Sequence, residues 1–304
     1  MPVQLFLDST PLLSDGPALR ARAAQEGHLF FRGLLPRTDL MEVRRDMLDV
    51  VRSFGWLLKG QDELGGQMDL ESLGRVPEAE MRTDIGVSQV AYHAVQRLES
   101  AHRLPHHPRL LELFGTLIGD EVLVHPRHIF RMITGHASVF PTPPHQDFPL
   151  IQGTVNTWTC WFPVGDCPRP LGGLTVLRGS HRNGYLPIML SKGAGGIAVP
   201  LCGGETDWVE GDFAAGDVLV FPCFTIHKAL KCQWKDQIRL SFDVRYQSAR
   251  EEVEPKSLLP HCELTWEEIY ANWCRGDLRY YWEKQRPELS IWNPDLLQPS
   301  RRIC

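Results

Sequence analysis

His145 and Asp147 stand two residues apart in Phe140-Pro141-Thr142-Pro143-Pro144-His145-Gln146-Asp147-Phe148. On an extended segment side chains alternate with a period of two, so an imidazole and a carboxylate at this offset face one side and can chelate one metal ion. Two donors hold a first-row metal loosely, and the reading requires a third from another strand. His227 offers it, 80 positions after Asp147. Two imidazoles and one carboxylate can occupy one face of an octahedral ion and leave three positions open, the donor set of non-haem Fe(II) oxygen chemistry. Taken alone the His-x-Asp pair is weak, because a chain with twelve His meets an Asp at that offset by accident and a surface turn after Pro143-Pro144 explains it as well. His261-Cys262-Glu263 is a rival of the same kind, but no His follows it as a distal ligand. A lone His after an apolar run is more often a hydrogen-bonded structural residue, and the earlier pair is what lifts His227 above that.

Twelve positions after His227 comes Arg239, opening the run Arg239-Leu240-Ser241-Phe242-Asp243-Val244-Arg245-Tyr246. By alternation Arg239, Ser241, Asp243 and Arg245 share a face. A guanidinium aimed into a protein interior is costly unless a carboxylate meets its planar fork, and a dicarboxylate cosubstrate would supply one. The alternative is a solvated strand face carrying an internal ion pair. Arg245 is the second choice for the anchor.

These residues need strands to hold them. Glu121 to His125, Arg127 to Ile133, Thr154 to Phe162, Gly173 to Leu177, Asp217 to Phe221 and Gln237 to Tyr246 are strand-like runs bounded by Gly, Pro and Asp turns, with shorter ones near Phe140, Leu186 and Phe224. Such a set predicts a two-sheet antiparallel jelly roll or barrel. The preceding third reads as helical. A strand at 27–33 leads to a helix capped by Thr38 or Asp39 and carrying Leu40, Val43, Met47, Val51 and Phe54 inward until Gly55. Ser88 caps a second, with Val90, Ala94 and Leu98 on one face, and Pro108 opens a third, with Leu110, Leu111, Phe114, Leu117 and Ile118 inward and Gly119 at its end. Beyond 250 the chain returns to helix at the capping box Thr265-Trp266-Glu267-Glu268. The expectation is one domain over 1–304: a helical part at about 1–120, a β core at about 121–247 and a C-terminal helical extension at about 248–304.

Composition narrows the function classes. With 43% hydrophobic and 23% charged residues and a net charge of −5, the chain shows no basic signal for nucleic acid. Its opening residues, Met1 to Asp8, lack a basic segment with a long apolar run, and no later stretch is long enough to span a bilayer. A cytoplasmic protein, monomeric or homodimeric and independent of membranes, is expected. The eight Cys include no C-x-x-C pair and read as reduced thiols, Cys160 and Cys223 in the core.

The order and spacing of several pieces resemble the phytanoyl-CoA dioxygenase family of Fe(II)- and 2-oxoglutarate-dependent oxygenases. These are Arg32-Gly33-Leu34-Leu35-Pro36 before a helix, His145-Gln146-Asp147, Gly172-Gly173-Leu174, Gly179-Ser180-His181, Gly216-Asp217 ahead of His227, and Arg239. The resemblance covers most of residues 27 to 246, with Arg178 standing where the family more often has Pro. It implies a double-stranded β-helix in which His145, Asp147 and His227 bind iron and Arg239 anchors the distal carboxylate of 2-oxoglutarate. Dioxygen would take the remaining position, succinate and CO2 would leave, and ascorbate is a candidate reductant. Trp161 is a cosubstrate contact or plain core, Ser241 lies beside Arg239 on the same face, and His181 shapes a turn. Related halogenases lack the carboxylate that Asp147 supplies, so hydroxylation, desaturation or epoxidation of a small-molecule substrate is implied. Two other readings remain: a cupin-like binding protein without turnover, and a zinc hydrolase using the same three ligands, which would leave Arg239 without a task.

Substrate contacts in such folds come from variable loops, here 60–85, 191–208 and the aromatic region around Trp273, Tyr281 and Trp282. The Gly-rich, acidic segment from Lys59 to Glu78 reads as an unstructured lid.

Overall fold

A computed structural model describes residues 4–299; the opening 1–3 and the thiol of Cys304 lie outside the described residues. The first part of the chain contains β1 (Gln4–Leu5), α1 (Gly16–Glu26), β2 (Leu29–Phe31), α2 (Arg37–Ser53), α3 (Leu70–Gly74), α4 (Gln89–Gln96), α5 (Glu99–Arg103) and α6 (Pro108–Ile118). The middle holds β3 (Val122–Val124), β4 (Ile129–Ile133), α7 (Phe148–Ile151), β5 (Trp158–Pro163), β6 (Leu174–Leu177), β7 (Met189–Leu190) and β8 (Ile197–Ala198). It continues through β9 (Trp208–Glu210), β10 (Val218–Pro222), β11 (His227–Ala229) and β12 (Arg239–Ser248) to α8 (Trp266–Tyr270).

One sheet runs β2-β10-β5-β12-β3 with β4 also on β12, and a second runs β1-β9-β6-β11. They face each other as a jelly-roll sandwich rather than a closed barrel. Phe6, Phe30, Trp161, Val176, Val209, Phe213, Leu219 and Phe221 fill the space between them. The outer face of the larger sheet is covered by helices: Leu40, Val43, Met47, Tyr92, Val95, Leu110, Phe114 and Leu117 pack on Phe130, Leu240, Phe242, Val244 and Tyr246. β12 is therefore buried on both faces along its whole length. Its even-numbered residues meet the helices, which turns Arg239, Ser241, Asp243 and Arg245 toward the inter-sheet space.

All six expected strands form. No strand forms near Phe140, where Pro141, Pro143 and Pro144 remove ladder donors. The short strands anticipated near Leu186 and Phe224 begin three residues later, at Met189 and His227. The sheets also reach outside 121–247, because β2 pairs with β10 through Phe31 and Val218, and β1 lies parallel to β9. Ser88 caps α4 through the amide of Ala91, as expected, but Val90 is exposed and the buried face is Ala91, Tyr92 and Val95. α2 begins two or three residues earlier than expected, at Arg37 behind Pro36, with no side-chain cap. The C-terminal region contains little α-helix. α8 has its capping box, and the rest is turns and 3-10 segments held by Trp266, Tyr270, Trp273 and Trp282 in a separate aromatic cluster.

The stretch from Lys59 to Glu78 is not structureless. It contains α3, and it is tied down by Arg44 on the carbonyl of Leu64 (2.6 Å), the Met68 amide on Asp236 (2.8 Å) and the Ile238 amide on Gly66 (3.0 Å). Met68 and Leu73 are core residues. Among the described residues no helix is long and apolar enough to cross a membrane.

Candidate functional site

His145, Asp147 and His227 come together, all buried, with one donor atom from each within 4.8 Å of the others. Asp147 Oδ1 lies 3.5 Å from His145 Nε2 and 3.7 Å from His227 Nε2. Both Nε2 atoms are free to ligate because both Nδ1 atoms are engaged: His145 donates to the carbonyl of Pro143 (2.9 Å) and His227 to that of Thr225 (3.0 Å). A carbonyl can only accept, so each Nδ1 carries the proton and each Nε2 presents a lone pair. Burial, followed by the neighbouring His145, lowers the His227 pKa to about 4, so its imidazole is neutral near pH 7. Burial alone would raise the Asp147 pKa, but the charge of Arg245, then the neighbouring His227 and His145, hold it well below the usual carboxylate range. Two imidazole Nε2 donors and a carboxylate fit a divalent first-row metal.

The local geometry differs in one respect from an extended His-x-Asp pair. His145 does lie on extended backbone, exchanging amide–carbonyl bonds of 3.0 Å each way with His227. Asp147 has helical torsions (φ −74°, ψ −32°) and heads the short helix α7. The carboxylate reaches the imidazoles because the chain turns there, with the Asp147 amide bonded to the carbonyl of Cys223 (3.1 Å). Gln146 locks this turn, donating to the carbonyls of Gly184 (2.8 Å) and Phe224 (2.7 Å) and accepting from the Leu186 amide (2.8 Å). Ahead of β10, the strand that precedes His227 in the chain, Gly216 has φ +107°, and a Cβ there would lie 2.5 Å from the Leu35 carbonyl oxygen. Asp217 beside it accepts from the amides of Gly33 (2.9 Å) and Ala214 (3.0 Å), fixing the entry to β10.

The far oxygen of Asp147 is also held. Oδ2 accepts from the hydroxyl of Thr159 (2.5 Å) and from Arg245 Nη2 (3.0 Å), leaving Oδ1 to face the imidazoles. The expected alternative of a solvated strand face fails, since Asp243 pairs inside the protein with Arg131 on β4 (2.5 Å). Arg245 is committed to Asp147, whereas Arg239, 3% exposed, has no carboxylate partner among the described residues. Arg239 Nη1 donates to the Gly172 carbonyl, and the guanidinium lies 5.9 Å from the centre of the Trp161 ring. Gly172 has φ +88°, and a Cβ there would come within 2.8 Å of the Leu230 oxygen. Arg239 Nε, Ser241 Oγ and Trp161 Nε1 are buried without a hydrogen-bond partner. Buried polar atoms are seldom left so. An anion seated against Arg239 would give its Nε an acceptor.

In front of the His145–Asp147 pair opens a cavity of about 210 Å³, lined also by Asp84, His125, Arg127, Ile129, Arg131, Leu150, Ile151, Ala194, Gly195, Arg245, Lys256, Ser257 and His261. Asp84 and Ala194 belong to loops expected to line it. Trp273, Tyr281 and Trp282 do not, being packed into the C-terminal cluster, and Lys256 to His261 take their place. Sequence reasoning missed Thr159, Gln146 and Arg127; of these only Thr159 left a trace, in its alternation with Trp161 on a strand. Asp84, His261 and Cys262 also converge, but Arg82 grips Asp84 (3.1 and 3.0 Å), the Tyr92 hydroxyl bonds His261 (2.8 Å), and burial pushes the Cys262 thiol up to about 12. That group is internally satisfied and surrounded by arginines. His181 sits in a 3-10 turn with Nε2 donating to the Ala24 carbonyl (3.1 Å), away from the three ligands.

The family model for phytanoyl-CoA dioxygenase (PhyH) matches residues 24–233, a span that contains His145, Asp147 and His227 and stops short of Arg239. The chain is 27% identical over 257 residues to the 1-deoxypentalenic acid 11-beta-hydroxylase of Streptomyces arenae, covering 80% of this chain and 85% of that one. Its Streptomyces exfoliatus counterpart is 25% identical over the same length. Among solved structures, the epimerase SnoN in complex with Fe3+, alpha ketoglutarate and nogalamycin RO superposes with a TM-score of 0.55 at 21% identity, over 80% of this chain and 87% of that one. EctD from S. alaskensis with 2-oxoglutarate and 5-hydroxyectoine gives 0.54 at 16% identity, over 83% and 85%. At these identities the two structures speak for the fold.

Proposed function

Because the chain belongs to the phytanoyl-CoA dioxygenase family of Fe(II)- and 2-oxoglutarate-dependent oxygenases, we propose that it hydroxylates a small molecule, His145, Asp147 and His227 holding Fe(II) and Arg239, Ser241 and Trp161 holding 2-oxoglutarate. The observation that carries the assignment is the pairing of three convergent ligands with a buried guanidinium that has no carboxylate of its own. When bound, iron and cosubstrate supply dioxygen activation coupled to decarboxylation of 2-oxoglutarate to succinate and CO2.

The protein's own residues prepare that chemistry. The carbonyls of Pro143 and Thr225 fix both imidazoles as Nε2 ligands, and Thr159 and Arg245 hold the unshared oxygen of Asp147. Arg239 offers a fork to a distal carboxylate, with Ser241 and Trp161 as further donors. Phe213 and Phe221 pack behind them, the first at 4.7 Å from the Trp161 ring and the second at 4.4 Å from that of His227, and keep water out. The carboxylate of Asp147 favours hydroxylation over halogenation, in line with the two Streptomyces hydroxylases. The seven described cysteines, all unpaired, support work in the reducing cytoplasm.

The test is succinate release by purified protein given Fe(II), ascorbate and 2-oxoglutarate, with and without oxygen, against a panel of metabolites. Release is expected to require both iron and oxygen. Turnover of any substrate under anaerobic conditions with zinc alone would favour the hydrolase instead.

A further inference from the structure

The cavity in front of His145 and Asp147 carries more positive charge than its carboxylates balance. Arg127, Arg131, Arg245 and Lys256 line it, against Asp84 and Asp147. Four of these six groups are matched. Arg245 bonds Asp147 (3.0 Å), Arg131 pairs with Asp243 behind the wall (2.5 Å), and Asp84 is held by Arg82 from outside the cavity (3.0 Å). Arg127 has no carboxylate partner among the described residues. Its Nη1 donates to the carbonyls of Pro260 (2.6 Å) and Leu259 (3.4 Å), which leaves Nε and Nη2 without a bond. Lys256 also lacks a carboxylate, its ammonium lying over the Trp292 ring at 3.8 Å. Glu254 is near both, but it accepts from the Lys256 amide (2.8 Å) and forms an ion pair with neither. His125 and His261 do not add charge near pH 7: burial lowers the first to about 4 and the second well below its usual value. The remaining wall is apolar, formed by Ile129, Leu150, Ile151 and Ala194.

We propose that the substrate is an amphiphilic carboxylic acid whose carboxylate seats on the free edge of Arg127, with Lys256 at the exposed rim, and whose carbon skeleton lies along Ile129, Leu150 and Ile151 toward the three ligands. The proposal rests on the oxygenase reading and names the substrate class for that site. One open guanidinium fork and one ammonium match a single planar carboxylate. A coenzyme A thioester would bring several phosphate charges, and no further unmatched cation lines the cavity to meet them.

The experiment uses the full chain loaded with Mn(II) and 2-oxoglutarate, titrated calorimetrically with matched carboxylic acids and primary carboxamides on medium-chain aliphatic and polycyclic terpenoid skeletons. At least one acid is expected to bind saturably, and its amide about 10- to 100-fold more weakly. Arg127→Gln should cost the acid a similar factor and leave the amide unchanged, while Arg127→Lys recovers part of the loss. Should Arg127→Gln fold poorly, exposed Lys256→Gln is expected to weaken the acid several-fold without touching the amide. Equal binding of acid and amide, no binding by any acid, or tighter binding of a coenzyme A thioester than of its free acid overturns the proposal. Wild-type succinate release from Fe(II) and 2-oxoglutarate is read in parallel. Release without acid preference sinks only this inference, whereas acid preference without any release sinks the oxygenase reading and leaves the anion seat standing.

Discussion

Replacing Arg239 by Met separates the cost of holding an unmatched guanidinium from its use. In the free protein this side chain is buried with one bond, to the Gly172 carbonyl, and the Trp161 ring at 5.9 Å. Burial lowers its pKa, as expected for a cation short of partners. Arg239→Met removes a charge whose burial costs several kcal/mol and forfeits a bond worth about 1–3 kcal/mol, so the ligand-free variant should melt no lower than wild type. Cosubstrate binding should respond in the opposite direction. Two charge-assisted bonds to a distal carboxylate, at about 1.5 kcal/mol or more each, correspond to roughly a 100-fold or greater change in Kd. At a 2-oxoglutarate concentration near 100 Kd, wild type gains about 2.7 kcal/mol, or roughly 5 °C for a protein of this size. At the same concentration the variant sits near its own Kd and gains only about 0.4 kcal/mol, less than 1 °C. Thermal melts with Mn(II), with and without 2-oxoglutarate, read both effects. As a control, 2-oxobutyrate, which has no distal carboxylate, should shift wild type no more than the variant. A variant that keeps the full 2-oxoglutarate shift would falsify the anchor assignment.

Four further outcomes follow from the same geometry. His145→Ala, Asp147→Ala and His227→Ala should each abolish turnover and saturable Fe(II) binding while keeping the far-ultraviolet circular dichroism of wild type; full activity in any one of them removes that residue from the ligand set. Thr159→Val deletes the 2.5 Å bond to Asp147 Oδ2 without changing side-chain size, and should weaken metal binding about 10-fold by calorimetry. His28, His102 and His125 are buried, and burial lowers each to about 4 from 6.5. Because the unfolded chain takes up protons first, stability should fall as pH drops from 6.5 toward 4, by roughly 4 kcal/mol in total at pH 5.5 if all three behave so, and urea melts that show no loss across that window would contradict it. The amides of Met68 and Ile238, bonded at 2.8 and 3.0 Å, should resist hydrogen exchange in the substrate-free protein, which a freely mobile Lys59–Glu78 lid would not allow.

By itself the sequence singled out the candidate donor set and the strand face beside it. His145, Asp147 and His227 were legible because ligand chemistry restricts residue types, and Arg239, Ser241, Asp243 and Arg245 because a period of two in a strand is a local property. Strand existence followed for the same reason, from apolar runs between Gly, Pro and Asp turns. What each polar group on that face does was decided by the tertiary structure. Arg239 and Arg245 have the same chemistry and the same alternation, and they differ only in that β5 and the turn into α7 bring Asp147 against one and leave the other beside the Trp161 ring with no carboxylate among the described residues. The inward face of α4 went to Ala91, Tyr92 and Val95 rather than Val90, since a helix of eight residues leaves its rotation to the sheet beneath it. The polar, Gly-rich stretch before Asp84 looked free because its ties run from backbone groups to Asp236 and Ile238, about 170 positions away, and backbone groups carry no sequence signature. The cavity, too, is assembled from six separate segments between Asp84 and His261, and its surplus charge depends on which cation each carboxylate reaches. Pairings of that kind are distances in space, which side-chain identities and local spacing do not encode.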